Sequence, residues 1–343
     1  MPVTQPAGPD VLDARVLGVM AALGAGSLLL AWALGVFRRR SIVGPVRWRA
    51  GESPAVLLLP MMVGIGAWLF VSMTYGMLRG RTAPAPSDAA TTAPASAPSE
   101  TFSSGELVIL TTLAAVALFV ATTQAHRRLR PGGLTALGFA LPRIQAGFLL
   151  GLLGMLVIAV PMMWVGFLTP ILWDALELKT PTVHEMLKIL SDSPSPLLRV
   201  VIVLSAAVVA PLAEELMFRG HLQTLLAMTI ERRRGKGTTE VRGPIVEVAF
   251  GTDPTSHSPP SLPEPPSLSP MPPPAWVRWA AVVLTSLAFA GVHPWWMFPP
   301  IFVLSVCLGY VYERTGNLWV PIIIHALFNG TQTALFLAGA AGN

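Results

Sequence analysis

The chain has 343 residues, 53% hydrophobic but only 12% charged, against roughly 25% charge in soluble domains. That balance excludes an ordinary soluble enzyme or a pair of soluble domains. The net charge of +5 comes largely from short arginine clusters beside apolar runs, a pattern of cytoplasmic membrane loops rather than of a nucleic-acid-binding face.

Crossing the hydrocarbon takes about 20 apolar residues. In chain order the candidate spans are 16–37, 54–78, 107–125, 144–169, 197–228, 279–293, 301–313 and 318–339, the sixth and seventh being short. The expected fold is therefore an all-α, polytopic transmembrane helix bundle of about eight spans. Residues 2–10 lack the basic region of a cleavable signal peptide, and the first run is too long for its apolar core. Arg38, Arg39, Arg40, Arg47 and Arg49 put the first loop in the cytoplasm, and alternation puts His126–Arg130 and Glu231–Lys236 there as well. Rich use of Ala, Pro, Gly and Arg suggests a bacterium with GC-rich DNA, hence a plasma (inner) membrane. Residues 82–105 read as a flexible external Pro/Ala/Thr loop, and the proline-dense stretch 235–275 as a solvated cytoplasmic linker that cannot bury a core. The external loop 170–196 is expected to hold a short amphipathic helix at the membrane surface. The natural division is 1–143 for the N-terminal spans and 144–343 for a functional core interrupted by the linker.

Ionisable residues at membrane depth cost about 2.5–3.5 kcal/mol each, which makes them functional suspects. The fifth span carries Glu214, Glu215 and Arg219. Glu215 and Arg219 are spaced i,i+4 and share a face, so they can pair. Glu214 lies about 100° around the helix and keeps a carboxylate free for proton transfer. By themselves these three also read as a structural ion pair closing a bundle. Two further spans change that reading. His293 follows Phe289 by four residues and precedes Pro294, and His325 and Asn329 sit i,i+4 in the last span. In lipid each needs a hydrogen-bond partner, and the natural partners are one another around a water or a metal. Peptide hydrolysis needs an activated water and an oxyanion stabiliser. A carboxylate and an imidazole can polarise water directly, or they can hold Zn²⁺; both routes stay open. Straight spans leave His293 nearer the outer side than Glu214 and His325. Trp276, Arg278 and Trp279 read as interfacial anchors, so the sixth helix is expected to start below the membrane and end near its middle. Pro294, Pro299 and Pro300 would then break the chain around a protein-lined cavity.

The strings Glu214-Glu215-Leu216-Met217-Phe218-Arg219, Phe289-Ala290-Gly291-Val292-His293 and His325-Ala326-Leu327-Phe328-Asn329 resemble, in order and spacing, the EExxxR, FxxxH and HxxxN/D motifs of the CPBP family, the CaaX-protease and bacteriocin-processing intramembrane peptidases. The resemblance covers about 197–339. It implies an intramembrane endopeptidase acting on a membrane-associated or lipidated protein or peptide, with its active site inside the membrane. Glu214 would be the general base, helped by His293; His325 and Asn329 would stabilise the oxyanion. Glu215 and Arg219 would hold the geometry, and Phe289 would pack beside the catalytic water. The family is labelled metalloprotease, which makes Glu214, His293 and His325 the ligands of any Zn²⁺, yet a metal-free glutamate mechanism is also argued for it. The proline linker, the external loop and the extra N-terminal spans depart from the family pattern and leave the substrate open. Rival readings are a non-catalytic scaffold or a peptide-binding immunity protein, and a proton-coupled transporter, although no repeated halves are evident.

Other residues are set aside. Cys307, the single cysteine, excludes a disulfide framework and reads as a small buried hydrophobe. His184-Glu185 is half of an HExxH motif whose second histidine is replaced by Lys188. His126 and His257 read as interfacial or solvated, and His221 as structural.

Overall fold

With no water in lipid to satisfy backbone groups, the apolar runs must fold as helices. The computed structural model describes residues 14–36, 38, 42, 45, 47, 48, 52–82, 103–181, 185–193, 195–237 and 273–341. Among them there is no strand. The helices are α1 (Ala14–Ala33), α2 (Ala55–Thr82), α3 (Ser104–Leu129), α4 (Ile144–Ala175), α5 (Glu185–Asp192), α6 (Pro196–Leu204), α7 (Ala210–Glu215), α8 (Thr224–Gly237), α9 (Ala275–Gly291), α10 (Phe298–Thr315) and α11 (Trp319–Ala341). Helices α6, α7 and α8 form one rod, joined through π-helical turns at Ser205–Val209 and Leu216–Gln223.

Six stretches are long and apolar enough to cross a membrane: Ala55–Leu78, Gly105–Leu129, Gly133–Ala175, Pro196–Arg234, Trp295–Thr315 and Trp319–Ala338. Ala22–Ala33 and Ala275–Gly291 are shorter apolar helices, and with them about eight spans are plausible. The chain is a multi-pass membrane protein, all-α as expected. At about 1.5 Å per residue, the 17 residues of α9 rise about 26 Å, short of the roughly 30 Å hydrocarbon. The chain then turns at His293 and Pro294 and re-enters α10 through a single 3₁₀ turn, Trp295–Met297. The expected loops lie largely at 83–102 and 238–272, outside the described residues, as does His257.

Local chemistry sets the helix ends. Ser103 and Glu106 form a reciprocal capping box at the start of α3. Gly316 ends α10 in the left-handed region (φ +58°), which glycine adopts without steric cost. Packing is set by small residues. A Cβ on Gly147, Gly151 or Gly154 of α4 would come within 2.6 Å of Trp319, Ile323 or Ile324, so this glycine stripe lets α4 lie directly on α11. Helix α11 packs in turn on α7, α10 and the Ser205–Val209 turn, and the Leu216–Gln223 turn meets α2, α8, α9 and α10.

Two sequence readings need correction. Arg278 is not an interfacial anchor: it is 1% exposed and donates to Glu313 at 2.8 Å. Glu313 also takes Gln223 at 2.8 Å and Arg47, from the α1–α2 connection. His126 is not solvated either. It is fully buried, with its Nδ1 3.1 Å from Nε2 of His221. In both cases the partner comes from another helix, and the ring or guanidinium follows the partner inward. Burial disfavours the charge on Arg47, but Glu313 and then Tyr312 more than offset this and hold its pKa above the ordinary arginine value.

Candidate active site

Helix α7 carries Glu214 and Glu215 as neighbours with different surroundings. Glu215 is fully buried and forms an ion pair with Arg219 Nε at 3.1 Å, the i,i+4 pairing expected. Its Oε1 also accepts from Nδ1 of His325 on α11 at 2.9 Å. The Glu214 side chain is 31% exposed, and its Oε2 lies 3.8 Å from Nε2 of His325. That gap is too long for a direct hydrogen bond, but one water could touch both atoms. His325 is thus fixed through one nitrogen and offers the other beside an open carboxylate.

Arg219 is held from the far side. Its Nη2 donates to the hydroxyl of Ser305 at 2.8 Å and to the Ser305 carbonyl at 3.2 Å, on α10. Its guanidinium carbon sits 4.6 Å from the centre of the Phe289 ring, a cation–π contact. Phe289 is fully buried on α9. Its ring lies 5.9 Å from the imidazole of His325 and 4.7 Å from that of His293. His293 reaches the cluster by way of this ring, and Phe218 packs edge-on against the same ring at 4.9 Å. His293 Nδ1 donates to the Phe289 carbonyl at 2.7 Å. This fixes Nδ1 as the protonated nitrogen of the neutral ring and leaves Nε2 as an acceptor.

Asn329, one turn beyond His325, donates from Nδ2 to the carbonyl of Ala206 at 2.9 Å. The reason lies in the π turn. Ala210 N–H bonds to Ser205 O across five residues, and in that register the next donor, to Ala206 O, would come from residue 211. Residue 211 is proline and has no N–H. The Asn329 amide supplies the missing donor. π turns of this kind recur at functional sites.

Glu214, Glu215, Arg219, Phe289 and His325 are therefore in one contact cluster, with His293 and Asn329 at its edges. Sequence reading missed Ser305, for which nothing in the sequence stands out. It also missed the π turns, whose one visible signal is Pro211 three residues before Glu214. Among the described residues, no three His, Cys, Asp or Glu side chains are placed to hold a metal ion. Glu214, His293 and His325, the set considered for Zn²⁺, do not form such a trio in this arrangement.

The fold defines a polytopic, all-helical membrane protein with buried charge gathered where the α6–α8 rod meets α9, α10 and α11. Residues 196–331 match the family described as Type II CAAX prenyl endopeptidase Rce1-like. That segment resembles an Rce1-like domain, consistent with a CPBP family protease, and contains all seven residues of the cluster and its edges. The match supports intramembrane endopeptidase activity in general and fits a membrane-associated substrate. No curated protein and no solved structure matches the chain.

Proposed function

We propose that the chain hydrolyses a peptide bond of a membrane-associated or lipidated protein at the cluster around Glu214, inside the bilayer, using the protein's own groups. The observation that carries this reading is the line Arg219–Glu215–His325–Glu214: one carboxylate neutralised and spent on orientation, one left open, and an imidazole between them. Glu214 takes a proton from a water, the resulting hydroxide oxygen attacks the scissile carbonyl carbon, and charge moves onto the carbonyl oxygen. His325 meets that oxygen with Nε2 when protonated, its ring held by the Nδ1 bond to Glu215. Asn329 spends one amide hydrogen on Ala206 and keeps a second for the same oxygen. The free Nε2 of His293 orients the water from the α9 side. The C–N bond then breaks as Glu214 returns its proton to the leaving amine. Such fixed donors act strongly because they need no rearrangement as charge develops.

We assign helix α4 to the functional core although the family match begins later, because its glycine stripe seats α11. The arginine-bearing loops are assigned to the cytoplasm of a bacterial cell. The test is cleavage of a co-expressed membrane substrate, found by comparing membrane proteomes of cells carrying the wild type and Glu214→Gln. Glu214→Ala and His293→Ala should each abolish cleavage at unchanged protein abundance. Cleavage surviving in both variants would remove the mechanism. Metal analysis and chelator treatment of the active protein separate this glutamate route from a zinc route.

A further inference from the structure

Where α1, α4 and α10 meet, at the arginine-bearing end of the bundle, side chains do not close the seam. An apolar cavity of about 210 Å³ opens there, lined among others by Leu34, Val36, Leu150, Cys307 and Val311. Its polar lining, Tyr310, Arg314 and Thr315, is gathered in the last turns of α10. The Arg314 guanidinium donates to the Leu34 carbonyl and, at 3.2 Å, to the Tyr310 hydroxyl. Both partners are neutral, and no carboxylate pairs with Arg314 among the described residues. Exposed Arg38 lies two residues beyond Val36. The cavity is therefore apolar within, and among the described residues Arg314 stands at its polar end with no carboxylate partner.

Size and depth narrow the occupant. Along α4 the lining runs from Leu150 to Ile158, a rise of about 12 Å, close to one leaflet's half of the roughly 30 Å hydrocarbon. The volume falls below the roughly 300–1,000 Å³ of pockets for drug-sized ligands, so it suits a single chain better than a ringed molecule. Water has too few polar partners inside it. We propose that this seam binds a phospholipid with an anionic headgroup, one acyl chain filling the cavity and the phosphate resting on Arg314. Basic pockets between membrane helices recruit such headgroups. The bound lipid would fasten α1 to α4 and α10, where, among the described residues, α1 packs chiefly on α4.

Native mass spectrometry of the full chain, released from nanodiscs of mixed phosphatidylcholine and phosphatidylglycerol, tests this independently of any proteolysis. The wild type should retain one phosphatidylglycerol, enriched several-fold over its share of the bilayer. Arg314→Gln should bring retention down to that share, Arg314→Lys should keep most of the enrichment, and Val157→Trp, which fills the cavity, should remove the bound lipid. Retention of phosphatidylglycerol at its bulk share by the wild type would overturn the proposal. So would enrichment unchanged in both Arg314→Gln and Val157→Trp, which would mean surface attraction alone. Displacement of the lipid by inorganic phosphate in the millimolar range would reassign the site to a free anion.

Discussion

Glu214 and Glu215 are adjacent in sequence and chemically identical, and their surroundings differ. Glu215 is fully buried between Arg219 and His325, whereas Glu214 keeps 31% of its side chain exposed. Removing one partner of a buried ion pair costs about 3–5 kcal/mol, because the other charge stays desolvated. Glu215→Ala should therefore lower the melting temperature and the folded yield along with activity. Glu214→Gln should abolish cleavage and leave the melting temperature close to wild type. Equal thermal losses in the two variants would show that the division of labour is wrong. The Glu215–Arg219 pair was legible beforehand because i,i+4 spacing is a local rule. The Arg47–Glu313 pair was not, since 266 positions separate its members and no periodicity links them.

At the scale of helices, spans were readable from apolar length, and their boundaries mostly hold. The winding within the fifth span was not readable, because π turns follow from tertiary demands that hydropathy does not encode. The Pro211–Ala206–Asn329 arrangement makes that winding testable. Asn329→Ala leaves the half-buried Ala206 carbonyl without its donor, a loss at or below the lower end of the roughly 1–3 kcal/mol for a buried group. Pro211→Ala restores a backbone N–H that can reach the same carbonyl. In a double-mutant cycle on thermal stability, Asn329→Ala should therefore cost clearly less in the Pro211→Ala background, and strict additivity would refute the link. The α4–α11 seam offers a second case. Gly151→Leu should push α11 and its His325 away from α7 and reduce cleavage sharply. Gly166→Ala, where an added Cβ meets nothing within 4 Å, should be neutral in both stability and activity.

Across the whole molecule, Arg47 of the connection between α1 and α2 is bound to the end of α10. Arg47 lies 4.2 Å from the Tyr312 ring centre and pairs with Glu313, while Arg130 of the segment after α3 pairs with Glu52 at 2.7 Å and holds the Arg47 carbonyl. Composition gave the class of molecule and the motifs gave the cluster, but this attachment could be seen only in three dimensions. Arg47→Ala should leave Glu313 held by Arg278 and Gln223 and destabilise the core by less than the roughly 3–5 kcal/mol of a fully broken buried pair, measurable as a lower melting temperature in detergent. A shift confined to limited proteolysis of the N-terminal helices would contradict it. The chain from Ser305 through Arg219 and Glu215 to His325 has another outcome. Each of its members is at most 4% exposed, and dissolved ions screen only charges they can approach. Turnover should stay level from dilute buffer to molar sodium chloride, while attachment of the protein's arginine-rich rim to anionic vesicles weakens over that same range.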